Sequence, residues 1–553
     1  MPALKTNLSV AGCALLVMPV LAAAQVPLDR ADPAINQRAL PATDTDAARS
    51  QAAPPASSAI AEVPVALSGT VTPVGIVISG APDIPPFVFS ENIVSYSGRP
   101  LEHADLARLA SDVAKVAHER GFPFATAVIP PQSMANGVLS VTLDEGKVDA
   151  VRVIGASNAA ADRILMAALA TGKPTRQADL ERAILLVGDL PGVTVTQSQF
   201  LRHDGFGVLL VTIAQEKQSA YLQIDNRGSK EIGPIRSTLL ANVNNVATAG
   251  DEVGLLVAQT PLQPREFVFV RARYSLPIDH AGSVLGISGS FGRSNPGASL
   301  RDLDVIGKSV DAAISYSRSL RRSRAQSYAL NFELRTLRTK QTLFGRQLRD
   351  DRLTTLSGSL DGVTAMAGGK LRSQVLIVGG LPLSGVSHEG DKMLSRVDGD
   401  ARFVTASYSV EWTGKLWRKL SLAAASTGQV ASRPLLATME IGAGGPAYGR
   451  AYDYAERTGD QGILGLVELR FDGGKLVPGV IDNFQIFSSV DGGYVDNRRE
   501  GAGGGSLLST SGGVRVMTGK LSGALEVSLP LNADRFNTRD RDPRVALRLA
   551  RLF

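Results

Sequence analysis

The chain has 553 residues, of which 56 are glycine and 20% are charged, and its mean hydropathy is +0.06. This length exceeds what one compact core supports, so we expect several domains. The composition is too apolar for a disordered chain, and after the first 24 residues no apolar run is long enough for a membrane-spanning helix. The net charge of +6 comes from scattered basic residues, which argues against a nucleic-acid-binding protein.

The first 24 residues have the parts of a secretory signal peptide. Lys5 gives a short positive head, an apolar stretch follows, and Ala22-Ala23-Ala24 precede an expected cleavage after Ala24. A lipoprotein box ending at Cys13 is the alternative, disfavoured because the apolar stretch before it is too short. Cys13 is the single cysteine, so a mature chain without it has no disulfide and no thiolate metal site.

Residues 25–73, rich in Ala, Pro and Ser, are predicted to form a linker that could include a plug helix. Residues 74–147 and 148–217 each show a strand, one or two amphipathic helices, and two further strands. In the first unit, Leu106, Leu109, Val113 and Val116 recur at helical spacing. The sequence therefore predicts two successive α+β domains.

From residue 218 to 553 the pattern is that of β-strands separated by Gly, Asp, Asn and Ser. In one example, Ile463, Val467 and Leu469 alternate with polar residues such as Glu468 and Arg470. The region is too large for a single sandwich core. At about 21 residues per strand and connection it holds about 16 strands, which predicts a transmembrane antiparallel β-barrel with an aqueous lumen.

Short motifs in both α+β units and the barrel resemble those of one family, the TpsB (ShlB/FhaC/HecB-type) transporters of two-partner secretion. The first unit carries the signature of the family's first POTRA domain at Pro130, Pro131, Gln132, Gly137 and Gly146. The second unit has Asp189-Leu190-Pro191-Gly192, similar to the family's second POTRA domain. The barrel begins with Asp225-Asn226-Arg227-Gly228, similar to the family's D-N-x-G.

The resemblance extends to a long loop and to one barrel strand. Gly449, Arg450, Ala451 and Tyr452 resemble the family's V-R-G-[YF] loop tip after strand eleven, with Gly449 and Ala451 departing from the commoner Val and Gly. Phe487, Asp491 and Gly493 resemble its F-x-D-x-G strand. The resemblance implies that the loop folds into the lumen and that Arg450 pairs with Asp491, a charge-assisted contact.

Catalytic motifs are missing from the sequence. Gly307-Lys308-Ser309 lacks the upstream glycine of a phosphate-binding loop, and no H-E-x-x-H or G-x-S-x-G motif is present. We therefore predict that the chain is not an enzyme and that it has no cofactor and no metal site.

The resemblance implies an outer-membrane transporter of a Gram-negative bacterium with its POTRA domains in the periplasm. Its partners would be a TpsA-type exoprotein that is unfolded in transit, outer-membrane lipid, and the barrel assembly machinery, with no nucleic acid. An alternative is a BamA- or TamA-like assembly factor, although those proteins have more POTRA domains and lack the Pro-Pro-Gln signature. A passive porin is disfavoured because it needs no periplasmic domains.

Overall fold

The computed structural model describes residues 28–40, 57–58, 65, 67 and 69–553, except 30, 135, 204, 478 and 500. The predicted signal peptide lies outside the described residues. Within the predicted linker, residues 25–73, the described residues include a short helix, α1 (Pro33–Asn36), followed by a 3-10 turn at Gln37–Ala39. Residues 41–56 of the linker lie outside the described residues. No helix in the described part of the chain is long and apolar enough to cross a membrane.

The first α+β domain is a three-stranded sheet covered by one long helix. Its strands are β2 (Gly75–Ser79), β3 (Thr126–Val128) and β4 (Val138–Asp144), in the order β2-β4-β3, and its helices are α2 (Ser90–Ile93) and α3 (His103–Glu119). The apolar face predicted for α3 is buried against the sheet, with Leu106, Leu109 and Val113 fully enclosed. The predicted amphipathic helix is therefore found with its expected orientation.

The second α+β domain has the same design with two helices. It contains β5 (Ala150–Gly155), α4 (Ala159–Leu169), α5 (Gln177–Gly188), β6 (Val193–His203) and β7 (Phe206–Gln215). A short upstream strand, β1 (Ser57–Ser58), pairs in parallel with β6, which gives the sheet order β1-β6-β7-β5. In the first domain Val65 forms a similar parallel bridge with Ile129, next to β3.

Sixteen antiparallel strands in the described part of the chain close into a barrel, which confirms the predicted fold class. The strands are β8 (Gln218–Asp225), β9 (Arg236–Asn244), β10 (Glu252–Gln259), β11 (Phe267–Pro277), β12 (Ser283–Ser294), β13 (Ile306–Arg322), β14 (Gln326–Leu343), β15 (Arg346–Met366), β16 (Gly369–Gly380), β17 (Val404–Trp417), β18 (Leu420–Ala431), β21 (Gln461–Gly474), β22 (Asn483–Asp496), β23 (Gly505–Thr518), β24 (Leu521–Pro530) and β25 (Arg544–Leu552). The barrel closes where β25 pairs with β8.

Side chains along these strands alternate between lumen and exterior, as the sequence pattern predicts. On β21, Ile463 and Val467 are more than half exposed on the outside, whereas Glu468 is fully buried on the inside. This inverted arrangement, apolar outside and polar inside, is that of a membrane barrel.

The second α+β domain is fixed to one end of the barrel by directional polar contacts. Asp189, from the predicted Asp-Leu-Pro-Gly motif, accepts two hydrogen bonds of 2.7 Å from the guanidinium of Arg322 on β13. Arg182 donates to the carbonyls of Ala281 and Ser319 at 3.0 and 2.9 Å. This end of the barrel is therefore the end that carries the α+β domains, and the other end is called the outer end below.

Candidate functional site: the loop tip inside the barrel

The long connection between β18, the eleventh barrel strand, and β21 turns back into the lumen. It contains a 3-10 turn at Ala437–Met439 and a small hairpin of β19 (Ile441–Ala443) and β20 (Arg457–Gly459). The tip between these two strands is buried: Arg450 is 7% exposed and Ala451 and Tyr452 are fully enclosed. The five barrel strands expected after this loop are present, β21 to β25.

The guanidinium of Arg450 contacts Glu468 and not the predicted partner Asp491. Its Nη1 donates to Oε2 of Glu468 on β21 at 2.7 Å and to the hydroxyl of Ser489 on β22 at 3.2 Å. A second carboxylate, that of Glu526 on β24, lies 3.7 Å away. The predicted side-chain pair between Arg450 and Asp491 is therefore wrong.

Asp491 instead holds the backbone of the loop tip. The N–H groups of Gly449 and Arg450 donate to its Oδ2 at 2.5 and 2.8 Å, and the Ser509 hydroxyl donates to the same oxygen at 3.0 Å. Glu468 lies opposite Ser489, two residues along β22 from Asp491. Two residues of strand span about 7 Å, close to the reach of an arginine side chain, so the backbone and the guanidinium meet different carboxylates.

Glu468 is the centre of a larger charge network. Besides Arg450 it accepts hydrogen bonds from Arg515 at 2.8 and 2.9 Å and from Arg470 at 2.6 Å. The guanidinium of Arg515 lies 3.9 Å above the ring of Phe487, which is buried. Three cations around one buried carboxylate satisfy it without releasing it to water. In the sequence, Glu468 is on the polar face of β21, and this position is the feature that could have identified it as a lumenal residue.

The other predicted tip and strand residues have defined positions. Gly449 has φ of +78°, where the family's commoner Val would be strained, whereas Ala451 has no positive φ. The phenol oxygen of Tyr452 lies 3.0 Å from the carbonyl of Ala533. Gly493 lies on β22 opposite Leu464 of β21.

The POTRA signature residues build the first domain. The side-chain amide of Gln132 bonds both the N–H and the carbonyl of Ser140, at 2.7 and 2.8 Å, and so pins β4. Pro130 and Pro131 follow the end of β3, and Gly137 turns the chain into β4 with φ of +66°. Gly146 has φ of +76°, and a Cβ there would lie 2.3 Å from the carbonyl oxygen of Phe124. Most of these contacts lie within the domain, and the Gly146 carbonyl also accepts a hydrogen bond of 2.9 Å from the N–H of Thr175 in the second domain.

An N-terminal segment, residues 28, 29 and 31–40, lies in the lumen beside the loop; we call it the lumenal segment. Asp29 pairs with Arg349 of β15, and Gln341 of β14 donates to the carbonyl of Leu28 at 2.7 Å. Arg38 donates to the carbonyl of Glu440, in the long loop, at 2.9 Å. The segment therefore touches both the barrel wall and the loop.

A buried arginine joins the base of the long loop to two neighbouring outer connections. Arg396 is 3% exposed; its guanidinium contacts Asp460 at 2.8 Å, Glu440 at 3.2 Å and the carbonyl of Arg498 at 2.6 Å. Burial raises the pKa of Glu440 to about 8, and the nearby Asp29 carboxylate adds to this rise. Among the described residues, no group of three or more His, Cys, Asp and Glu could hold a metal ion.

Comparison with known proteins identifies the family. The model of the haemolysin secretion/activation proteins ShlB/FhaC/HecB matches residues 207–516, more than half of the chain. The chain belongs to this family. A ShlB-type POTRA model matches residues 71–146, which is the first α+β domain.

Named relatives and solved structures agree with this assignment. The heme/hemopexin transporter protein HuxB of Haemophilus influenzae is 27% identical over 221 residues, and the match spans 39% of the length of each chain. CdiB from Escherichia coli has a TM-score of 0.70 at 20% identity, covering 88% of this chain and 91% of CdiB. BamA from Haemophilus ducreyi, lacking POTRA domains 1–3, has a TM-score of 0.54 at 12% identity, covering 88% of this chain and all of that one. These structural likenesses show the shared fold.

Proposed function

We propose that this chain is the outer-membrane transporter of a two-partner secretion system and exports one large exoprotein, unfolded in transit, through its barrel. The observation that carries the proposal is the content of the lumen. It is filled by two separate pieces of chain, the lumenal segment and the loop tip around Arg450. Both are held by polar contacts and by apolar packing, the latter through Ala34 and Tyr452. If these two pieces move, an aqueous path opens while the hydrogen bonds between the barrel strands stay intact.

Sixteen strands enclose enough space for such a path. Barrels of 16–18 strands leave an aqueous channel, whereas barrels of about eight are filled by their own side chains. An extended polypeptide has the width of its backbone and side chains, so an unfolded client fits where a folded one does not. Folding outside the cell then prevents the client from returning.

The two POTRA domains would capture the client in the periplasm by strand addition. Two of the sheet edges are already occupied, because residues of this chain pair at β6 and beside β3. In the described part of the chain, β2 and β5 each pair on one side only. We propose these two strands as the open edges, where main-chain groups can bond an extended client.

An export assay tests the proposal. The chain is expressed with a large TpsA-type exoprotein from the same bacterium, and the exoprotein is measured in the medium and in the periplasm. Removing residues 75–215 should strand the exoprotein in the periplasm, while normal export by the shortened chain would refute the capture step. A photo-crosslinking residue at Val77 on β2 should capture the exoprotein, and the same residue at the exposed Arg108 on α3 serves as its control.

Assembly of other barrel proteins is the second candidate, and one feature of the barrel favours it. The seam between β25 and β8 has five residue pairs, whereas each other described junction of the barrel has eight or more. A short seam is easier to open sideways, which an assembly factor needs.

Closing the seam with a disulfide distinguishes the two functions. Ile224 and Leu549 are paired across it and both are exposed on the outer face, and opposed residues of antiparallel strands lie within disulfide reach. The variant with cysteine at both positions should still export under oxidising conditions. Loss of export that returns on reduction would favour lateral opening, and the two single-cysteine variants control for the substitutions.

A further inference from the structure

The outer faces of strands β12 to β15 carry an unusual group of cations near the outer end of the barrel. On β13, Ile314 and Val310 face outward and are each 55% exposed, and Lys308 continues this outward series. The opposite end of β13 meets the second POTRA domain through Arg182 and Ser319. Lys308 therefore lies on the lipid-facing side, at the end farthest from the periplasmic domains.

Strand pairing places further cations beside Lys308. Arg293 on β12 and Lys340 on β14 are its direct cross-strand partners. Two residues nearer the periplasm, Arg338 on β14 is opposite Arg352 on β15. All five face outward in the alternation of their strands. We call these residues the cationic patch: Arg293, Lys308, Arg338, Lys340 and Arg352.

The patch has too few anionic partners in the protein. Among the described residues that pair with the patch, the carboxylate is Asp350, which lies opposite Lys340. It accepts hydrogen bonds from Arg338 at 2.8 and 2.7 Å and from Arg352 at 3.0 Å. The side chains of the other three cations make no hydrogen bond or ion pair within the part of the chain that the structure describes. Like charges on directly opposed strand positions destabilise a sheet, so an external anion would relieve this repulsion.

The height of the patch identifies the kind of anion. Directly below Arg293 and Lys308, Phe291 and Val310 are paired and exposed as part of the apolar outer surface. A lipid-facing cation costs about 2–4 kcal/mol at the bilayer midplane but only about 0–1 kcal/mol near the interface. The cations thus begin where the hydrocarbon gives way to lipid headgroups.

The patch is confined to one sector of the barrel. Three other strands have an apolar residue facing outward at the outer end. These residues are Val404 on β17, Val430 on β18 and Val545 on β25, and each is at least half exposed. A general preference for positive charge at the outer rim would place cations there too. The grouping on four adjacent strands is what a discrete binding site requires.

We propose that the cationic patch binds the phosphate groups of lipopolysaccharide, the phosphorylated glycolipid of the outer leaflet. Arginine binds phosphate oxygens through its planar fork and lysine through a compact charge. The three unpaired cations form a continuous row along which one phosphorylated headgroup can lie. This inference rests on the outer-membrane location and is independent of what the chain exports.

A triple variant with a matched control tests the patch. The patch variant is R293S/K308S/K340S. The control is K415S/K475S/K520S, which removes three exposed lysines at the periplasmic end, one near the end of β17 and two from connections between strands. Both variants must first show the heat-dependent gel mobility of a folded barrel. Native mass spectrometry in detergent then measures binding of lipid A with two phosphates, in parallel with the same lipid lacking both.

We expect the patch variant to lose roughly a hundredfold in lipid A affinity and the control to stay within about twofold, because each cation near a lipid surface contributes about fivefold. Equal losses in both variants, or equal binding of the dephosphorylated lipid, would overturn the proposal. So would complete displacement of lipid A by millimolar inorganic phosphate, which would indicate a free-phosphate site.

Two further comparisons keep the test decisive. If the triple variant does not insert, the single variant Lys308→Ser should lose roughly fivefold in lipid A affinity; unchanged affinity would overturn the proposal. The binding measurement involves no exoprotein. A chain that binds lipid A but does not export would refute the transport proposal alone, and the reverse result would refute the lipid site alone.

Discussion

The contact between Arg450 and Glu468 should set the equilibrium between loop positions inside and outside the lumen. Both side chains are buried, their closest atoms are 2.7 Å apart, and Glu468 is fully enclosed. Close buried charge pairs show coupling energies of about 1.5–7 kcal/mol. We take about 2 kcal/mol, near the low end, because Arg515 shares the carboxylate and Glu526 lies 3.7 Å from Arg450. This corresponds to roughly thirtyfold in the equilibrium.

Single-channel recording measures this equilibrium directly. A chain lacking residues 26–40 leaves the loop as the main obstruction in the lumen. In this background, Glu468→Gln and Arg450→Ala should each raise the open fraction roughly thirtyfold. The double variant should add little, since either change already removes the charge pair. In the full chain, Arg450→Ala should impair export while the barrel still inserts.

A second mutant cycle decides between the two carboxylates. Asp491 accepts backbone N–H groups of the loop tip, and these remain when Arg450 becomes Ala. The effects of Arg450→Ala and Asp491→Asn should therefore add within about 0.5 kcal/mol. Strong coupling between positions 450 and 491, together with additive effects at positions 450 and 468, would refute the contact between Arg450 and Glu468. This result would instead support a side-chain pair between Arg450 and Asp491.

Three other outcomes follow from the structure. Gly146→Ala should destabilise the first POTRA domain by about 2–4 kcal/mol, because its Cβ would meet the carbonyl of Phe124; hydrogen exchange of the full chain measures this. Because burial raises the pKa of Glu440 to about 8, contact between loop and lumenal segment should be strongest below pH 4.5 and weaken as the pH rises through 8. Conductance should rise over this interval, and Glu440→Gln should flatten the dependence. Reversing either charge of the Asp189–Arg322 pair should speed proteolysis at the junction of POTRA domain and barrel roughly tenfold, and exchanging the two residues should restore resistance.

The barrel and its inverted polarity were predictable because strand alternation is a local signal. Most strands show apolar residues alternating with polar ones, as around Val467 and Leu469, and the long β region limits the alternatives to a barrel. The position of the long loop was also predictable, because its tip motif and the five strands that follow it can be recognised along the sequence. The POTRA helices followed from their period in the same way.

The partner of Arg450 could not be predicted because it depends on height along the lumen. Asp491 and Glu468 are both inward-facing acids on neighbouring strands, and sequence does not say which one the guanidinium reaches. The register of β21 against β22 and the depth of the loop tip decide this, and both are tertiary properties. The contact between Asp189 and Arg322 could not be predicted for the same reason, because 133 residues separate the two along the chain.

The charged contacts of the loop and the lumenal segment suit parts that must leave the lumen, although Ala34 and Tyr452 also pack against apolar side chains of the barrel wall. Exposing apolar surface by such a movement would cost about 25 cal/mol per Å², and hydration of that surface would not offset this free energy. Charged groups such as Arg450, Glu468 and Asp29 regain hydration when the lumen fills with water, which offsets much of the interaction that they lose. A buried charge pair therefore holds each piece in a defined position while keeping the free-energy difference between closed and open states small enough for a passing client to supply.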